Sequence, residues 1–129
     1  MSNDQTRVTL EAALAKSRSA DNFSAAARDV TDERRRQIQR EGYDHAHDDA
    51  HPCGEIAACA AFYAMPPAAR EWTAEGFDYG ATFGAALWPE GWTVPKTGDR
   101  RRELVKAGAL VLAEIERIDR AIKLQENQL

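Results

Sequence analysis

Towards the end of the chain the apolar residues Leu104, Gly108, Val111, Ile115, Ile118 and Ile122 recur at alternating steps of four and three. Only a helix brings such positions onto one side, and this period gives it a single sustained apolar seam. Asp99 follows the breaker pair Thr97-Gly98 and is a good N-cap, so the helix is expected from Asp99 to about Gln125, with the last residues frayed. Glu114, Glu116, Arg117, Asp119, Arg120 and Lys123 fall on its outer side. Nowhere does a run of alternating β-branched residues compete with helix. The chain therefore reads as all-α, a small orthogonal helical domain of about four helices with an aromatic-rich loop between the last two.

The upstream segments fit that plan. A helix is expected from about Thr31 to Glu41, capped by Thr31 or Asp32 and closed at Gly42, with an extension back to Ser24 through Ala25, Ala26 and Ala27 left open. Its inward stripe would be Val30, Ile38 and the aliphatic stem of Arg34; its other charges would be solvated. Gly54 to Met65 is apolar nearly all round, which predicts the central, buried helix, ended by Pro66-Pro67. Residues 66–98 collect all three tryptophans among glycines and prolines, with room for short helices at 67–75 and 78–87. Their rings either seal the core or line a ligand cleft. Residues 1–28 read as an N-terminal arm with a short helix from Val8 to Ser19 and a hinge over Ser17 to Asn22; 29–125 as the helical domain; 126–129 as a tail.

A chain of 129 residues holds one core. A net charge of −4 argues against a nucleic-acid coat or a basic membrane-surface protein. Two cysteines do not suggest a disulfide scaffold. The polar N-terminus leads into no signal-peptide apolar region, and no run approaches the ~20 apolar residues of a membrane span. The expected setting is the cytoplasm, with no membrane partner.

Chemistry concentrates between Glu41 and Glu55, which holds all three histidines, Asp44, Asp48, Asp49 and Cys53. The spacing His-x-His-x-x-x-His can put imidazoles on one divalent ion, and His47, Asp48, His51 and Glu55 are the candidate ligands. The plainer reading is a polar loop that caps helix ends and pairs with arginines. Arg100, Arg101 and Arg102 open the last helix, where cations oppose the dipole, so acids of the loop or a bound phosphate should offset them. The sharper idea is a phosphate-bearing, nucleotide-like ligand. Tyr43, His47, Asp48, Asp49 and His51 would position it, Arg101 and Arg102 would meet its charge, and Trp88 or Trp92 would stack on a base. A third option is a metal-dependent pyrophosphohydrolase of the MazG-like kind. Glu116 and Asp119 form Glu-x-x-Asp, but Glu55 has Ala58 where its acidic partner should be. Alternatively the C-terminal seam pairs chains or grips another protein, and there is no catalytic site at all.

Over Asp29 to Ile122, the run Glu33-Arg34-Arg35-Arg36-Gln37, Glu41-Gly42-Tyr43, His47-Asp48-Asp49 with His51, Gly54-Glu55, Trp88-Pro89 and Arg101 to Leu110 resembles a family of small proteins encoded by bacteriophages and prophages. That resemblance implies a bacterial host cell and a place in phage–host conflict. More distantly, Gly42-Tyr43, Asp48-Asp49, His51-Pro52 and Asp99-Arg100 are similar to the ryanodine-receptor repeat (RyR domain) pattern, although the Pro-Tyr after its histidine is absent here. The RyR resemblance implies a small helical fold and a nucleotide-derived ligand.

Overall fold

The computed structural model describes residues 6–13, 23–75, 82–96 and 98–128. Helix α1 covers residues 6–13 and is exposed throughout; the rest of the expected Val8–Ser19 helix and the hinge lie outside the described residues. Then follow α2 (Ala25–Arg40), α3 (His45–Asp49), α4 (Glu55–Ala64), α5 (Pro67–Arg70), α6 (Phe83–Leu87) and α7 (Arg100–Asn127). Among the described residues there is no strand, only an isolated bridge between Thr73 and Thr82. The all-α class holds. The count of four gives way to seven helices among the described residues, because α3 forms within the His-rich segment and two short helices form in the aromatic-rich one.

Each boundary has a local cause. Ser24, not Thr31 or Asp32, caps α2: its Oγ accepts from the Ala27 N–H at 3.1 Å, and the Thr31 hydroxyl donates to the Ala27 carbonyl within the helix. After α2 the chain turns at Gly42 (φ 75°) and restarts where Asp44 caps α3. Gly54, at φ 89°, makes the left-handed turn into α4 that a side chain would strain. Asp99 caps α7 as expected, accepting from the Arg101 and Arg102 N–H groups. The helix runs through Asn127, beyond the expected end near Gln125, and Leu129 lies outside the described residues.

Helix α7 packs on both α2 and α4 and runs antiparallel to α4. Leu110 and Ala113 meet Ile56, Cys59 and Ala60 in the core, while Arg100 reaches the carbonyls at the end of α4. Pro66 and Pro67 have no N–H to offer those last carbonyls. Arg100 donates to the Tyr63, Ala64 and Met65 oxygens, and buried Arg70 to those of Phe62 and Tyr63, with an ion pair to Glu103.

The direction of the α7 seam, which the sequence leaves open, is now fixed, and one expectation about α2 is corrected. The seam on α7 does not face the core: Val111, Ile115, Ile118 and Ile122 are 43–49% exposed, and Glu103, Ala107, Leu110 and Ala113 are buried instead. Small residues win the inner side because they let neighbouring helices approach; a Cβ on Gly108 would sit 3.0 Å from a Val30 methyl. Likewise α2 turns Glu33, Arg34 and Gln37 inward, with Val30 and Ile38 only partly covered. The inner face of α2 is polar, and that shapes the site.

Candidate functional site

The His-rich segment is held by one buried carboxylate. Asp48 is 1% exposed, with Oδ2 accepting from Arg34 Nη2 and Oδ1 from His47 Nδ1, both at 2.9 Å. Arg34 is buried too and also donates to Glu116 and to the Tyr43 carbonyl. Arg34 thus ties α2, α3, α7 and the α2–α3 turn together at one point. With its Nδ1 engaged by Asp48, His47 is fixed in orientation. His51 is fixed in turn by its Nδ1 contact with the His47 carbonyl at 2.7 Å.

The rings so positioned form a chain. Tyr43 stacks on His47 (centroids 4.7 Å, 21°), His47 meets His51 at 4.6 Å, and His51 meets the edge of Trp92 at 5.2 Å. Trp92 touches Trp88, and Trp88 packs on Phe62 and Tyr63. A cleft of about 150 Å³ opens inside this chain, bounded by Tyr43, His47, Tyr63, Trp88 and Trp92 and floored by Ile56, Cys59 and Leu110. Burial pushes the Tyr43 and Tyr63 hydroxyls above their ordinary pKa, and burial with the nearby Glu55 charge pushes the Cys59 thiol up to about 12. None of the three is an ionised nucleophile at neutral pH.

Further polar groups of the cleft are ones that the sequence does not single out. Gln37 is 3% exposed and its Oε1 has no hydrogen-bond partner among the described residues. A buried acceptor left unpaired costs about 1–3 kcal/mol, which a donor entering the cleft would recover. Lys106 lies with its ammonium 5.6 Å from the Tyr63 ring and has no ion pair among the described residues. Arg36 and Glu41 also line the cleft and pair with each other at 2.7 Å; Arg36 holds Glu33 as well. Gln37 lies one turn beyond Glu33 and Arg34 on the inner face of α2, and Lys106 is in phase with Leu110 and Ala113. The periodicity could have found both had the inner faces been assigned correctly.

Of the expected ligand residues, Tyr43, His47, Asp48, Trp88 and Trp92 line the cleft, and His51 stands behind it between His47 and Trp92. Three are elsewhere. Asp49 points to α7 and pairs with Arg120 at 2.8 Å, a hydrogen bond that holds its carboxyl below the ordinary pKa. Arg101 pairs with Asp29 at 2.7 Å and Arg102 with Glu33 at 2.5 Å. Because α7 runs antiparallel to α4, its arginine-bearing start lies beside the end of α4 while the histidines sit beside its start. Arg102 and Arg120 are about 27 Å apart along the α7 axis. The anion field expected from Arg101 and Arg102 is absorbed by acids of α2.

The expected metal set of His47, Asp48, His51 and Glu55 does not assemble either. Among the described residues no three His, Cys, Asp or Glu side chains are grouped to hold an ion. Asp48 is engaged by Arg34 and His47, and Glu55 accepts from the Cys53 N–H at the α4 start. Of the Glu-x-x-Asp pair, Glu116 is engaged by Arg34. No helix among the described residues is long and apolar enough to cross a membrane. No family model, curated protein or solved structure matches the chain.

Proposed function

We propose that this protein is a small-molecule-binding module whose cleft takes one planar, hydrogen-bond-donating ring carrying a single anionic group, a nucleotide-like ligand with few phosphates. The unpartnered Oε1 of Gln37, buried beside an aromatic-walled cleft, is the observation that carries this reading. The ring lies among Tyr43, Trp88 and Trp92, an N–H of the ring donates to Gln37, and Lys106 meets the anion.

Size and charge limit the class. A cavity of about 150 Å³ takes one benzene-sized ring, so sugar and anion must extend towards solvent. Arg36 is neutralised by Glu41 and Glu33, leaving Lys106 as the unpaired cation of the cleft. A polyphosphate gains little from one lysine. The RyR resemblance supports the nucleotide-derived class, and the phage resemblance supports a role in phage–host conflict.

Thermal shift and calorimetry with free bases, nucleosides, nucleoside monophosphates and triphosphates test this. A bound ligand at 100 times its Kd raises stability by about 2.7 kcal/mol and should quench Trp92, which is partly exposed. Monophosphates should bind at least as tightly as triphosphates, and Gln37→Leu or Lys106→Gln should weaken them, while Arg101→Gln leaves binding unchanged. A flat response in both readouts across the panel refutes the proposal.

A further inference from the structure

Helix α7 has two working sides. At 100° per residue, Lys106, Leu110 and Ala113 face the cleft, and Leu104, Val111, Ile115, Ile118 and Ile122 lie on the opposite side. These five are 46%, 47%, 49%, 43% and 49% exposed. Beside them runs a shallow apolar groove between α4 and α7, lined by Ala57, Ala60, Ala61, Ala64, Val111 and Ile115. From Ala121 to Gln128 every residue is exposed, so the end of α7 overhangs the body and still carries Ile122 and Leu124.

We propose that this face is the interface of a homodimer, in which a second copy of the chain lays its α7 antiparallel along the first.

Three observations select a second copy as the occupant. First, the seam is its own complement when reversed. A two-fold axis passing near Ala113 sets Leu104 against the partner chain's residue at 122, Gly108 against 118 and Val111 against 115. Each large residue at 122, 118 and 115 thus meets a Leu, a Gly or a Val, and the isoleucine opposite Gly108 rests on Val30, which lies across that glycine. Ridge and alanine groove share one face, as a two-fold interface requires. Second, the charges suit this direction. Arg101, paired with Asp29 yet 61% exposed at its side chain, is on the seam side at one end and Glu126 at the other. The reversed arrangement places Arg101 opposite Glu126 of the second copy, where a parallel one would bring like charges together. Third, the area is sufficient. Half-exposed side chains of this size each offer on the order of 80 Å², so the seam with Leu112 presents about 500 Å². With the alanine groove this approaches the ~800 Å² per partner of a standard interface. The clefts lie on the far side of each α7, so both remain open in the dimer.

Light scattering and sedimentation equilibrium on the full chain up to about 100 µM test it, since a dimer with a Kd of about 10 µM is mostly assembled there. The expected mass is twice 14.3 kDa, falling to 14.3 kDa in Ile115→Glu or Ile118→Glu with helical circular dichroism retained. Direction is read by oxidation in a Cys53→Ser background. Leu104→Cys together with Ile122→Cys should give a covalent dimer, and Leu104→Cys alone should not. A wild-type monomer at the highest concentration overturns the proposal. So does a dimer that survives both glutamates, or one that Leu104→Cys alone cross-links.

Discussion

Replacing Asp48 by leucine tests the pin on which the site depends. Asp48 and Arg34 side chains are 2% and 7% exposed, and the substitution leaves the guanidinium buried without its closest carboxylate. Removing one partner of a buried pair costs 3–5 kcal/mol. Arg34 keeps Glu116 and the Tyr43 carbonyl, but Glu116 is 47% exposed and solvent screening leaves that pair worth at most about 1 kcal/mol. The expected loss is therefore about 3 kcal/mol, a large share of the 5–15 kcal/mol of a domain this size. Asp48→Asn keeps an acceptor for Arg34 and should lose about half as much. Adding Arg34→Met to Asp48→Leu removes the stranded charge, so the double variant should be more stable than Asp48→Leu alone. Urea unfolding at constant m measures all three. A loss under 1 kcal/mol for Asp48→Leu, or simple additivity in the double variant, would refute the reasoning.

Other consequences follow from single groups. Cys53 is exposed and Cys59 buried with its thiol pushed up to about 12, so a thiol reagent at pH 8 should titrate one cysteine in the native protein and two in urea; fast reaction of both in the native state contradicts the packing. Burial acts to raise the pKa of Glu33, but hydrogen bonds from Arg36 and the charges of Arg102 and Arg36 outweigh it and hold the carboxyl below its ordinary 4.5. Its stabilising contribution is therefore full above about pH 4.5 and lost as pH falls through the lowered value. Urea midpoints measured from pH 7 to 3 should fall more steeply for the wild type than for Glu33→Gln. Gly84→Ala places a Cβ 2.9 Å from Arg70 Cβ and 3.1 Å from its carbonyl. It should destabilise by about 1–3 kcal/mol despite a helix-propensity gain of about 1 kcal/mol, as the melting temperature will show.

The helical class was readable because nothing in the chain alternates, and the Asp99 cap and the Pro66-Pro67 stop are local chemistry. The inner side of α7 was not readable. Periodicity reveals a stripe of isoleucines but does not say that alanines and Gly108, by admitting neighbours closely, will claim the core. The same ambiguity hid Gln37, since a buried amide looks like any polar residue of a charged helix. Tyr43, His47 and Asp48 cluster in one segment and Trp88 and Trp92 in another, each visible as a local concentration of rings or polar groups, but only the fold brings the two groups to one cleft. Arg101 and Arg102 were misplaced because the direction of α7 against α4 is a tertiary fact, fixed by where Arg100 finds its carbonyls.

Arg70 and Arg100 donate to the same Tyr63 oxygen. The described parts of the stretch between them still pack on the frame, with Ala74 and Gly84 buried and Trp88 against Phe62 and Tyr63, but the two arginines that flank it share one carbonyl, and the register of α4 on α7 is held there. Trp88 and Trp92 belong to that stretch, whereas Gln37, His47 and Lys106 belong to the frame. Part of the cleft wall is thus separate from the frame that fixes α4 on α7, and substitution at the exposed Trp92 should retune what is bound while the helices beneath stay as they are.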